Sequence, residues 1–101
     1  MKIYLAGPMT GIEELNFPLF NAETARLRAL GWEVTNPVEV NPDPTAQWID
    51  CMLDDIPVLM ACDMIALLPG WEASKGARLE HCIALNHGMS VMMAADIVGA
   101  A

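Results

Sequence analysis

The sequence predicts an α/β fold, a parallel sheet of about four strands with helices on both faces. Three observations carry that reading. Short apolar runs recur at residues 2–7, 32–36, 63–68 and 89–94. Longer stretches with helical spacing separate them, so strand and helix alternate from end to end. The first and third runs lack the apolar–polar alternation of a half-exposed strand, which marks strands buried on both sides.

Each element has a local cause. Residues 2–7, KIYLAG, form a central strand that stops at Gly7-Pro8. A loop with Gly11 follows over 8–15. Asn16 is placed to cap a helix over about 17–30, with Pro18 tolerated in its first turn. That helix carries a stripe of Phe20, Leu27 and Leu30, diluted by Thr24, and ends at Gly31. The second strand, 32–36, is closed by Pro37. Residues 36–44 hold three prolines and three Asn or Asp residues, the composition of a loop. Asp43-Pro44 reads as a cap and first-turn proline for a helix running to about 60, which Pro57 should kink or divide near 53–56. The third strand spans 63–68. A third helix over about 75–87 ends at Gly88. The fourth strand is 89–94, and a small-residue tail, 96–101, is expected to fray.

Right-handed crossovers leave few ways to connect this alternation, and strand order 2-1-3-4 is the expected one. The chain then reads as one Rossmann/flavodoxin-like domain over residues 1–101. In such open sheets ligands sit beyond the carboxyl ends of the strands, where strand order reverses. That point lies between strands one and three, so the loops Gly7–Glu14 and Pro69–Ser74 should frame a site.

Composition narrows the partners. With 54% hydrophobic residues, disorder is excluded. The net charge of −8, with five Lys and Arg, would repel a nucleic-acid polymer. A small phosphate-bearing ligand is still admissible, because a helix N-terminus holds one without a basic field. Asp63 and Pro69 interrupt the best candidate for a membrane span. The start, MKIYLAGPM, is too short and too broken by Gly and Pro for a signal peptide, so a cytoplasmic location is expected. The odd number of cysteines (Cys51, Cys62, Cys82) lacks metal-ligand spacing and reads as buried reduced thiols. The apolar excess suggests a homo-oligomer, a dimer or higher.

Candidate site residues follow from position. On the third helix Gly76, Glu80, Ile83, Ala84 and His87 share a face, placing a carboxylate on a partly apolar side just after the switch-point loop. Trp48, Met52, Asp55 and Leu59 share a stripe on the preceding helix, so Asp55 interrupts an apolar face and Asp54 does not. Asp55 either belongs to a site or caps a helix restarted by Pro57. Ser74 is the cap of the third helix; with Lys75 and the free amides of Gly76 and Ala77 it either caps only or also holds an anion. Trp71 stacks on a base or shields its loop. The direction of Tyr4 depends on strand register. Asp63, at the far end of its strand, is read as structural.

These pieces, KIYLAGPMTG at 2–11, Asp55 eight residues before Asp63, and Ser74-x-Gly-x-x-x-Glu80, together resemble the nucleoside 2-deoxyribosyltransferase family, including its small phage and bacterial branch and the deoxynucleoside 5′-monophosphate N-glycosidases. The resemblance spans nearly the whole chain. It implies cleavage or transfer at the N-glycosidic bond of 2′-deoxynucleosides or their 5′-monophosphates by retaining double displacement. Glu80 would be the nucleophile at C1′, and Asp55 would orient the sugar or move the proton. Tyr4, Gly7, Pro8, Met9 and Gly11 would line the sugar and base pocket, with Gly70, Trp71, Ser74 and Gly76 completing substrate binding. No metal or organic cofactor is implied. Pro8 stands where the hydrolase branch has serine, and Arg78 replaces the second glycine of the family element, where it would crowd or recharge the pocket. These departures, and the little chain after the fourth strand to complete a neighbouring subunit's site, keep a second expectation open: a nucleotide-binding, sensing or sequestering module without turnover.

Overall fold

The computed structural model describes residues 1–99. Its sheet has the expected order, with strands β1 (Lys2–Ala6), β2 (Glu33–Thr35), β3 (Met64–Leu67) and β4 (Ser90–Met93) arranged β2-β1-β3-β4. All neighbouring pairs are parallel, and Tyr4 lies between Thr35 of β2 and Ile65 of β3.

Four helices cover the sheet: α1 (Phe17–Ala29), α2 (Pro37–Val40), α3 (Trp48–Met60) and α4 (Lys75–Asn86). Side chains alternate across β1 and β3, so each strand feeds two cores. Ile3, Leu5, Met64 and Ala66 pack with Phe20 and Leu27 of α1 and with Val38 of α2. Tyr4, Ala6, Ile65 and Leu67 pack with Leu59 of α3 and with Ala77 and Ala84 of α4. Thr24 stays on the buried stripe of α1 because its hydroxyl donates to the Phe20 carbonyl at 2.7 Å. Asp63 is tied to the amino-terminal end of the sheet's central strands, its carboxylate accepting from the Lys2 amide at 2.8 Å. Among the described residues no helix is long and apolar enough to cross a membrane.

Several local expectations are corrected. The expected loop 36–44 contains the short α2, because Asn36 caps it by accepting from the Val38 amide at 3.1 Å. Helix α3 begins at Trp48 rather than at 44. The Asp43 carboxylate is occupied by the amide and hydroxyl of Thr45, at 2.9 and 2.7 Å, and closes a local turn instead of capping a helix. Pro57 does not divide α3: Leu53 and Pro57 both face solvent, where water can satisfy the carbonyl that proline strands. Asn16 holds the cap position of α1 but its amide donates to the Pro8 carbonyl at 2.9 Å. Only Cys62 is a buried thiol; Cys51 is half-buried and Cys82 is exposed. The tail is pinned where fraying was expected. The Arg26 guanidinium donates to the Ala94 and Ile97 carbonyls at 2.7 Å each, and the Trp32 indole donates to Gly99 at 3.0 Å. Ala100 and Ala101, the end of that tail, lie outside the described residues.

Candidate active site

Three elements deliver three polar side chains to one point on the second core. Helix α3 turns Asp55 inward on the same stripe as Met52 and Leu59, and the unbroken helix rules out its reading as a cap. Helix α4 turns Glu80 inward between Ala77 and Ala84. Strand β1 points Tyr4 at the same place. Exposure is 0% for Tyr4, 7% for Asp55 and 5% for Glu80. The Tyr4 hydroxyl donates to a Glu80 carboxylate oxygen. One oxygen of Asp55, Oδ1, is buried without a hydrogen-bond partner. An orphaned buried acceptor is expensive and awaits a donor from a ligand or from solvent.

Burial dominates the electrostatics here. It lifts Glu80 from 4.5 to about 8; the Tyr4 hydrogen bond opposes the rise and the nearby charge of Asp55 adds to it. Burial also lifts Asp55 from 3.8 to about 6, aided by Asp54 and opposed by Tyr4. The Tyr4 hydroxyl is pushed well above its ordinary 10.0, first by burial and then by the two carboxylates. Between about pH 6 and 8 the carboxyl pair therefore carries one proton. A pair of carboxyls holding a single proton can supply an acid and a base from one site.

The pair opens into a cleft of about 670 Å³ beyond the carboxyl ends of β1 and β3, at the switch in strand order. Gly7, Pro8, Met9, Gly70, Ser74 and Gly76 line it together with Asp55 and Glu80. Gly7 is needed for a close approach, since a Cβ there would lie 2.7 Å from Leu68 Cβ. The Ser74 hydroxyl accepts from the Ala77 amide at 3.2 Å, and α4 starts there, where a helix leaves its first amides without intrahelical partners.

Three expected lining residues are placed elsewhere. Tyr4 lies beneath the carboxylates, fully buried, and supports Glu80 instead of meeting the cleft. Gly11 turns away while its neighbours Thr10 and Ile12 reach the cleft. Trp71 stacks on His81 with ring centroids 4.5 Å apart, which draws it off the wall. Arg78 is exposed and outside the lining, so it neither crowds nor recharges the cleft.

Two further lining residues carry chemistry: Trp48, read from the sequence only as part of a helix stripe, and Lys75, named there beside Ser74 in the candidate anion pocket. Trp48 opens α3, and Lys75 opens α4 with its ammonium 4.0 Å from the Trp48 ring centroid. The signal for Trp48 was available, since it shares the stripe of Asp55. A shallower depression of about 290 Å³ lies between α3 and the C-terminal half of α4, among Met60, Cys82, Ile83, Asn86 and His87, and no carboxyl lines it. Among the described residues, no three His, Cys, Asp or Glu side chains converge on a metal position.

The fold is similar to that of the Clostridium botulinum CMP N-glycosidase BcmB, with a TM-score of 0.64 and 20% identity, over 92% of this chain and 67% of that one. No curated protein matches the sequence. The family is set by a match that runs from the first strand to the end of the fourth, residues 1–93: the chain belongs to DUF4406, a domain of unknown function.

Proposed function

We propose that the protein cleaves the N-glycosidic bond of a 2′-deoxynucleoside or its 5′-monophosphate, with water or a second base as acceptor. The observation that carries this reading is the buried Glu80–Asp55 pair, set by Tyr4 at the end of a cleft of sugar-and-base size, with burial raising both carboxyls. The likeness of fold to a CMP N-glycosidase supports the same class of chemistry. The nucleoside 2-deoxyribosyltransferase-like motifs support the assignment of roles.

The first step needs one carboxylate and one acid. As the C1′–N bond lengthens, positive charge grows at C1′ and favours the ionised form of the nearer carboxyl, Glu80. The shared proton then resides on Asp55. Glu80 forms a C–O bond to C1′, the C1′–N pair leaves with the base, and Asp55 protonates that base. In the second step Asp55 takes a proton from water, the hydroxide oxygen bonds C1′, and Glu80 leaves as carboxylate. Two inversions give net retention, and the pair ends with the single proton it began with.

The test is base release from a panel of nucleosides, deoxynucleosides and their 5′-monophosphates, followed by chromatography. Turnover by the wild type that disappears in Glu80→Gln is the expected result. No base release across the panel by folded wild type would overturn the reading. A second reading, a nucleotide sensor without turnover, draws on the burial of Glu80 in the cleft floor, which raises its carboxyl toward the neutral form that donates a hydrogen bond to a ligand. It requires undiminished ligand binding by Glu80→Gln alongside an inert wild type.

A further inference from the structure

Lys75 is the only Lys or Arg among the cleft-lining residues described, and the whole chain carries a net charge of −8. Its position is unfavourable for the helix. It is the first residue of α4, where the backbone dipole favours anions, and no acidic residue in that turn offsets it. The ammonium is not idle. It rests over the Trp48 ring, 4.0 Å from the centroid, and closes the gap between the starts of α3 and α4. Gly76 keeps that seat open, because a Cβ there would meet Trp48 Nε1 at 3.2 Å and Met52 Sδ at 3.4 Å.

This arrangement leaves the cation exposed and replaceable. A cation over an exposed ring is held more weakly than one hydrogen-bonded to a phosphate oxygen. Ser74 and Gly76 line the cleft with Lys75 at the start of α4, where the first amides have no intrahelical partner, so an anion entering there meets several donors at once. The second indication of a ligand is independent of the helix end: Asp55, more than nine-tenths buried, lines the same cleft, and its Oδ1 has no hydrogen-bond partner.

We propose that Lys75 and Trp48 form a ligand-operated latch that selects an anionic substrate. In the free protein the ammonium sits on Trp48 across the mouth. A substrate phosphate draws Lys75 off the ring, which opens the mouth and uncovers the Trp48 face to the cleft. The latch selects nucleoside monophosphates over nucleosides. This specificity rests on the glycosidic reading above, whereas the latch itself requires only that the cleft bind a phosphorylated sugar.

Two readouts separate the two ideas. In the first, kcat and KM are measured for cytidine 5′-monophosphate and cytidine, and for their deoxy counterparts, with wild type, Lys75→Met, Lys75→Arg and Arg78→Gln. The ratio of kcat/KM for monophosphate over nucleoside should fall at least tenfold in Lys75→Met, through KM. It should be largely restored in Lys75→Arg and unmoved in Arg78→Gln, which removes the same charge outside the cleft. In the second, tryptophan emission is titrated with ribose 5-phosphate and with ribose, needing no turnover. Wild type should respond to ribose 5-phosphate at concentrations where ribose gives nothing, and Trp48→Phe should abolish the response. If base is released but Lys75→Met leaves the ratio unchanged, the latch is wrong and the glycosidic reading stands. If nothing is released but the emission response depends on Lys75 and Trp48, the latch stands and the reaction is wrong. An emission response absent in wild type, or equal for both sugars, overturns the latch.

Discussion

The floor of the cleft and its mouth are made differently. Tyr4, Asp55 and Glu80 come from a central strand and two helices, and their exposures run from 0 to 7%. Tyr4 is packed among Leu59, Ile65, Leu67, Ala77 and Ala84, and the two carboxylates beside it open only toward the cleft. The mouth has Trp48 at 38% exposure, Lys75 held by a single cation–ring contact, and the loop from Pro8 to Asn16. In that loop three successive non-glycine residues, Glu14, Leu15 and Asn16, take left-handed backbone angles, φ 53, 52 and 62°. Such angles cost roughly 1–2 kcal/mol per residue for side-chain-bearing residues. Close packing is placed where protons and carboxylates must be positioned, and exposed side chains where a ligand must enter. Changes to the floor should therefore alter chemistry and pH behaviour, and changes to the mouth should alter selectivity and KM.

The largest effect is expected from Glu80→Gln, and it has opposite signs for rate and for stability. Base release should fall by on the order of 10³-fold or more, since the nucleophile is gone. Stability should rise. A buried carboxyl whose value is lifted from 4.5 to about 8 is neutral, and free of penalty, below about pH 4. In the window between those values the folded state binds more protons than the unfolded one, so unfolding free energy falls as pH rises. Above about pH 8 the penalty is constant, at up to about 5 kcal/mol for a tenfold equivalence of about 1.4 kcal/mol. Glutamine carries no such penalty. Thermal denaturation at pH 5 and pH 9 should give a small difference between variant and wild type at the acid end and a large gain for the variant at the alkaline end. Equal Tm differences at both pH values would mean that Glu80 is not held protonated by the fold.

Next in size is Tyr4→Phe, which leaves the packing of the floor and removes the hydroxyl. The wild-type profile of kcat/KM should be a bell with limbs near pH 6 and pH 8, because below the lower value the pair has two protons and no nucleophile, and above the upper value it has no acid. The Tyr4 hydrogen bond holds Glu80 down, and the hydroxyl has the same effect on Asp55. Without it both limbs should move to higher pH, and the maximal rate should drop by about 10- to 100-fold as Glu80 loses its orientation. Unmoved limbs would assign them to groups other than this pair.

The floor was more legible in the sequence than the mouth, for a physical reason. A carboxylate at helical spacing among apolar residues stands out, so the inward faces of Asp55 and Glu80 could be read from periodicity, which left Asp55 open between a site and a cap and gave neither residue a role. The sheet order followed from chirality and from strands without alternation. That same lack of alternation hid the direction of Tyr4, since a strand buried on both faces has no polar side to set its register. The mouth depends on competitions between near-equal local choices. Asp43 could cap a helix or close a turn on Thr45, and it closes the turn, which moves the start of α3 to Trp48. Trp71 could face the cleft or His81, and it faces His81. Lys75 is readable from spacing as a neighbour of Ser74, but its seat on Trp48 of α3 is not. Such pairings across elements leave no trace in local spacing.

The smallest expected effects come from two glycines that line the same cleft, one in each region. Gly7 ends the central strand, and a Cβ added there would lie 2.7 Å from Leu68 Cβ, the fixed root of a side chain with 1% exposure. Neither neighbour can yield without moving a strand end, so Gly7→Ala should lose about 1–3 kcal/mol of stability. Gly76 meets Trp48 Nε1 at 3.2 Å and Met52 Sδ at 3.4 Å, and the Trp48 ring is partly exposed and free to swing outward. The gain in helix propensity from Gly to Ala, at most about 1 kcal/mol, offsets the push on the ring. Gly76→Ala should therefore unfold within about 1 kcal/mol of wild type in denaturant, while the displaced Trp48 loosens its contact with Lys75 and shifts the KM for monophosphates a few-fold. Equal losses of stability in the two variants would mean that the mouth is as tightly packed as the floor, and the division of labour between them would fail.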